Sequence, residues 1–133
     1  HRAMCAQDYS AVTAACMMTK AEVFRQAGGF TEELAVAFND IDYCMKVRAL
    51  GKLVVYAPYA VMHHYESKSR GLEDTPEKVA RFNREVAVFA RRWPDILKNG
   101  DPYYNPNLTL RKSNFALRDL LKEKIGEPYK LEG

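Results

Sequence analysis

A chain of 133 residues, 47% hydrophobic and 28% charged, fits one globular domain or part of a larger one and excludes a disordered polypeptide. Its formal net charge of +3 is mild. Such a balance suits an anionic substrate or a membrane surface, and it suits a plain solvated surface equally well.

Three cysteines, Cys5, Cys16 and Cys44, are odd in number and lack the short paired spacing of a zinc site. Cys16 and Cys44 lie within apolar stretches, so buried thiols in a reducing compartment are expected. No signal peptide is seen, and no apolar run approaches the ~20 residues of a spanning helix. A start at His1 rather than Met reads as a processed chain or a fragment.

In chain order, SAVTAACMM (10–18) is apolar, small and partly β-branched, the pattern of a buried strand. Thr19 and Glu22 have the spacing of a capping box, with a short helix following through Val23, Phe24 and Ala27 and stopping at Gly28-Gly29. Phe30 to Phe38 reads as an irregular connection. Asn39 or Asp40 is expected to cap the next helix, whose apolar positions are Ile41, Cys44, Met45 and Val47, with Gly51 beyond its end. Leu53–Tyr56 is expected as a strand broken at Pro58, and Ala60–His64 as a further extended run.

The second half changes character. Thr75-Pro76 is a cap followed by proline at a first helical position. Val79, Phe82, Val86, Phe89 and Trp93 then recur at spacings of three and four, an amphipathic helix carrying Lys78, Arg81, Arg84, Arg91 and Arg92 on its other faces. Pro94 fits a stop. DPYYNPNLTL (101–110) is rich in turn formers and aromatics, and Phe115–Ile125 shows a weak helical pattern. The fold class is mixed α/β, divided into residues 1–72 and a helical extension, 73–133.

Three constellations carry chemistry. Asn39-Asp40-Ile41-Asp42 places two carboxylates at a helix start, either as caps or with one serving as a general base. HHYESKSRG (63–71) follows an apolar run: His63 or His64 suits a metal, and Ser67, Ser69, Arg70 and Gly71 suit phosphate oxygens. A polar loop explains the same residues. The stretch matches no P-loop and no helical zinc site. Tyr103, Tyr104 and Asn105 suit either a sugar or a packed turn. The basic helix face is either solvated or in contact with a membrane surface. Nucleic-acid motifs are absent.

Together, VTAACMMTKAEVFRQAGGFTEELAVAFNDIDYCMKVRALGKLVVYAPYAVMHHYESKSRG resembles the C-terminal half of the catalytic domain of family 2 glycosyltransferases, which have the GT-A fold. It looks most like bacterial enzymes of O-antigen and other cell-surface polysaccharide assembly, often described as rhamnosyltransferases. RFNREVAVFARRWPDIL and GDPYYNPNLTL resemble the segment that follows, so the likeness covers about residues 10–115. The resemblance implies inverting transfer from a nucleotide-sugar donor to a saccharide or lipid-linked acceptor, in the cytoplasm and with the inner membrane face as a further expectation. It assigns Asp40 as general base and Gly28, Gly29, Phe30 and Asp42 to the acceptor side. Ser67, Ser69 and Arg70 fall on the diphosphate side, and His63, with His64 the weaker candidate, on a divalent ion, Mg or Mn. Ala14-Ala15 departs from the Gly-Ala usual before the cysteine. The donor-binding half and its metal-binding Asp-x-Asp are not found before residue 10. The 133 residues are therefore expected to be inactive alone, with truncation exposing sheet edges that favour self-association. The alternatives are a non-enzymatic interaction module and a metal-dependent phosphoesterase using Asp40, Asp42 and the histidines.

Overall fold

Residues 7–16 have almost no regular structure of their own, yet they are stitched to partners far along the chain. In the computed structural model, which describes residues 4–65, 75–112 and 114–123, β1 (Gln7–Asp8) pairs antiparallel with β2 (Val55–Tyr56) in the register Gln7↔Tyr56 and Asp8↔Val55. Tyr9 N–H donates to the Val54 carbonyl at 2.9 Å, and the Tyr9 and Tyr56 rings meet edge to face. The Arg48 guanidinium donates to the buried Ser10 hydroxyl at 2.6 Å. The Cys44 thiol donates to the Val12 carbonyl at 3.7 Å. A short sheet pair, one ion–hydroxyl bond and one thiol bond thus fix the strip along the following helix.

The architecture is mixed helix and small sheet, in the order β1, a 3₁₀ turn (Ala14–Cys16), α1 (Ala21–Gln26), α2 (Asn39–Ala49), β2, α3 (Pro76–Arg92) and α4 (Pro94–Asn99). The chain divides into two compact units, His1–Phe89 and Ala90–Gly133. In the first, α2 is the central element: Asp42, Tyr43, Cys44, Met45 and Val47 are all buried. Tyr43, Cys44, Val47 and Val54 form the core, flanked by Ala11, Val12, Met17, Val23, Phe24 and Ala27. The helix ends where expected, with Gly51 at φ 72°, a left-handed conformation that glycine adopts without a Cβ clash.

Several expectations are corrected. Residues 10–18 are not a strand. Thr13 Oγ1 accepts the Ala15 N–H and winds the chain into the 3₁₀ turn, which leaves Cys16 exposed rather than buried. The capping box does not form. Thr19 instead shares a 2.9 Å hydrogen bond with the Tyr43 hydroxyl, because a phenol in a core needs a partner more than an exposed helix start does. Leu53–Tyr56 pairs only at Val55–Tyr56, and Ala60–His64 makes no strand and is exposed. Pro94 does follow the end of α3, but it also opens α4 at the first helical position.

In the second unit, DPYYNPNLTL is a packed turn. Tyr104 Oη donates to the Thr109 carbonyl at 3.0 Å, and Asn105 accepts the Asn107 N–H. Thr109, buried, donates to Glu123 at 2.6 Å, and Leu108 bridges Leu117. The weak helical pattern from residue 115 gives no helix among the described residues. Asp119 turns the chain instead, its side chain accepting the Leu121 N–H. Among the described residues no helix is long and apolar enough to cross a membrane.

The thiols give a direct check. Burial pushes the Cys44 thiol above its ordinary range, and the Asp40 charge adds to the rise. The fold therefore favours the neutral thiol. Its contribution to stability is complete below the unfolded thiol's value, roughly pH 8.5, and is lost as pH rises from there through the raised folded value. Under native conditions Ellman's reagent is expected to label Cys5 and Cys16 quickly and Cys44 only on unfolding. The alkaline fall of the urea midpoint is expected to shrink in Cys44→Ala.

Candidate functional site

The N-terminal turn of α2 collects the candidate residues. The chain reaches it through Phe38, whose φ of 64° and ψ of 1° are left-handed. For a bulky residue this costs on the order of 1–3 kcal/mol. Ring packing offsets it: Phe38 stacks on Phe89 at 5.3 Å and lies against Phe82 at 5.6 Å, both on α3. Each such pair contributes about 0.5–1.5 kcal/mol. The Phe38 carbonyl then accepts the Asp42 N–H at 2.8 Å, which closes the first turn.

Asn39 and Asp40 do not cap the helix. They are its first two residues, and their carbonyl-type oxygens accept local N–H groups: Asn39 Oδ1 from Asp40 N at 2.7 Å, and Asp40 Oδ1 from Ile41 N at 2.9 Å. Asp40 Oδ2 accepts the Ala14 N–H of the 3₁₀ turn at 3.1 Å. Both oxygens of this half-buried carboxylate are therefore held by backbone donors, one of them 26 residues away. Each oxygen keeps a further lone-pair direction, which lets the group take a proton from a hydroxyl placed beside it. The two backbone N–H donors fix where the carboxylate stands at the start of α2.

Asp42 lies two residues further in and is 0% exposed. Its Oδ2 accepts the Thr31 hydroxyl at 2.6 Å and pairs with Lys46 Nζ at 3.2 Å. Lys46 also donates to the Gly29 carbonyl at 3.0 Å. Asp42 thus grips the glycine loop from beneath, so its carboxylate meets that loop and not a ligand at the surface.

Gly28 and Gly29 are both left-handed, at φ 76° and 67°. A Cβ on Gly29 would stand 3.2 Å from the Phe24 ring. Phe30, which follows, is 47% exposed and packs on Phe24 at 5.6 Å and Tyr43 at 5.3 Å. It offers a half-covered aromatic face beside the helix that carries Asp40, a surface of the kind sugar rings stack on.

The histidines are not gathered in. His63 is exposed and stacks on Tyr65 at 6.4 Å, and His64 is also exposed. Ser67, Ser69 and Arg70 lie outside the described residues. Among the described residues no three His, Cys, Asp or Glu side chains form a group fit to hold a metal ion.

Sequence reasoning missed Thr31, Lys46, Phe38 and Glu85. Two of these left a signal. Lys46 stands four residues after Asp42, the spacing of a helical ion pair. Glu85 stands three after Phe82 and four before Phe89, a carboxylate set into an otherwise apolar stripe.

Comparison with known proteins places similar sequence in two bacterial proteins. The chain is 56% identical over 112 residues to a Sinorhizobium fredii protein named "Uncharacterized protein y4gI". Over the same length it is 36% identical to "O-antigen biosynthesis protein RfbC" of Myxococcus xanthus. Each match covers 84% of this chain, which in turn spans only 12% and 8% of the two relatives' lengths. No family model matches the chain. No solved structure matches it either.

Two substitutions test the loop anchor. Gly29→Ala, forced into a left-handed conformation against Phe24, is expected to lower stability by about 1–3 kcal/mol in urea unfolding. Lys46→Met leaves Asp42 buried and without its cation, at an expected cost of about 3–5 kcal/mol, and the double variant Asp42→Leu/Lys46→Met is expected to recover part of that.

Proposed function

We propose that these residues form the acceptor side and the proton-accepting carboxylate of an inverting glycosyltransferase of cell-surface polysaccharide synthesis. In that reading residues 1–72 carry the catalytic half, and residues 73–133 the supporting helix and extension. The observation that supports it most is Asp40: a half-buried carboxylate with each oxygen steadied by one backbone N–H and free lone pairs left over. The order of its motifs resembles family 2 glycosyltransferases, and the Myxococcus relative is named for O-antigen biosynthesis.

The reaction in this reading runs as follows. An acceptor hydroxyl rests against Phe30 and the Gly28-Gly29 loop, with its O–H directed at Asp40. As the acceptor oxygen attacks the anomeric carbon, its proton passes to an Asp40 oxygen. The new C–O bond forms on the face opposite the breaking bond, whose electron pair leaves with the nucleoside diphosphate, and the anomeric configuration inverts. Holding the carboxylate still is the main gain, since misplacement of a base by about an ångström costs on the order of a hundredfold in rate. Asp42, Lys46 and Thr31 act here by fixing the loop. Ser67, Ser69 and Arg70 belong to the diphosphate side of this reading. His63, or less well His64, would offer one imidazole to a divalent ion, and no step above depends on it. Donor sugar, nucleotide and acceptor are set by the whole protein.

The test is Asp40→Asn in a polypeptide that carries these residues and transfers sugar. Turnover is expected to fall by roughly a hundredfold to ten-thousandfold with donor affinity nearly unchanged. Because asparagine has one oxygen, either Ala14 or Ile41 loses its acceptor, at a cost of about 1 kcal/mol. A urea midpoint measured on the same variant separates that loss from the chemical one. Normal turnover in Asp40→Asn would end the assignment.

A further inference from the structure

Glu85 takes no part in the transfer step, yet its placement is hard to explain by packing alone. It sits in the apolar stripe of α3 between Phe82 and Phe89 and is 3% exposed. A leucine would fill that site without the desolvation a carboxylate suffers. The carboxylate is instead aimed at one backbone group. Glu85 Oε2 accepts the Ala37 N–H at 2.6 Å, across 48 residues of chain. Its other oxygen stands 3.9 Å from Arg81 Nε.

Ala37 is the residue before the left-handed Phe38, and three before Asp40. Phe82 and Phe89 hold the Phe38 ring on either side of Glu85 in sequence. Two turns of α3 therefore fix two consecutive residues of the loop, one by its N–H and one by its ring. We propose that Glu85 is a positioning residue for Asp40, acting through the backbone of Ala37 and Phe38. The proposal rests on the reading of Asp40 as the base.

The physical argument concerns direction. A ring packed between two rings can slide and rotate, whereas a short charge-assisted hydrogen bond fixes the plane of the 36–37 peptide. With that plane set, Phe38 stays left-handed, its carbonyl meets Asp42 N, and the first turn of α2 starts where the Asp40 carboxylate reaches Ala14 N. Without it, Phe38 relaxes toward the extended region that bulky residues prefer. The first turn then frays and the Asp40–Ala14 bond goes with it.

Amide hydrogen exchange tests this without any assay of transfer. In Glu85→Ala the amides of Ala37 and Ala14 are expected to exchange roughly tenfold to a hundredfold faster, the range a hydrogen bond to a charged group represents. Met45 and Val47, in the interior of α2, are expected to stay protected. Glu85→Gln keeps an acceptor oxygen, so protection of Ala37 should largely persist, with its amide proton shifted upfield by loss of the charge. An Ala14 rate unchanged in Glu85→Ala would overturn the proposal, as would equal loss of protection along all of α2. Should Glu85→Ala fail to fold, Glu85→Gln decides: an unchanged Ala37 proton shift overturns the proposal and an upfield shift with protection retained supports it.

Turnover separates this proposal from the reading beneath it. Where Asp40→Asn abolishes transfer, Glu85→Ala should lower kcat at least tenfold and Glu85→Gln should restore most of it. If Asp40→Asn turns over normally while Ala14 protection still depends on Glu85, the base reading has failed and the backbone clamp stands. If Asp40→Asn is inactive and Ala14 is indifferent to Glu85, the clamp has failed and the base reading stands.

Discussion

A carboxylate wholly removed from water, as Asp42 is, survives as a charge only where a cation and hydrogen-bond donors replace its hydration. Lys46 and Thr31 do this, and each brings something with it. Lys46 holds the Gly29 carbonyl, and Thr31 is the first residue after Phe30. The need to neutralise one buried charge therefore determines where the glycine loop lies. That loop in turn sets the ring of Phe30 on Phe24 and Tyr43, and Tyr43 binds Thr19. The aromatic cluster, the start of α1 and the candidate acceptor face all follow from the placement of one side chain.

α2 accordingly carries two carboxylates with opposite duties. Asp42 faces inward and is consumed by its partners, while Asp40 is steadied by backbone donors that leave it able to accept a proton. The difference is one of donor type. A lysine and a hydroxyl close around Asp42 from the side-chain level, whereas amide N–H groups approach Asp40 from the chain itself and occupy one direction on each oxygen. Two aspartates separated by a single isoleucine thus become an internal strut and, in the proposed reading, a base, although their sequence context is nearly the same.

That distinction explains what could be read from the sequence. The long helix from Pro76, the helix after Asn39, Gly51 at its end and the position of the Gly28-Gly29 stop follow from periodicity and from residues with special backbone freedom. The strand expected at 10–18 does not exist because its apolar side chains are satisfied singly by α2, and Thr13 turns the backbone before a second strand can pair. Cys16 was assigned to the interior on the same pattern and emerges outside it. The place of Asp40 at a helix start was legible. The burial of Asp42 was not, since nothing local distinguishes it from its neighbour. Glu85 was visible only as a misfit on an apolar face, and its partner, a backbone amide 48 residues earlier, has no sequence signature at all.

The strip from Gln7 to Ala14 has a bearing on where such a unit can be cut. Its contribution is not area but four fixed points on α2 and just before β2: the Val54 carbonyl, the Arg48 guanidinium, the Cys44 thiol and the Asp40 carboxylate. A piece trimmed to begin at residue 15 would keep α1 to α4 and every buried aromatic ring, and would still lose the groups that Tyr9, Ser10, Val12 and Ala14 present to Val54, Arg48, Cys44 and Asp40. The smallest excisable module is set by these tie points, and the apparent tail at its front is a structural wall.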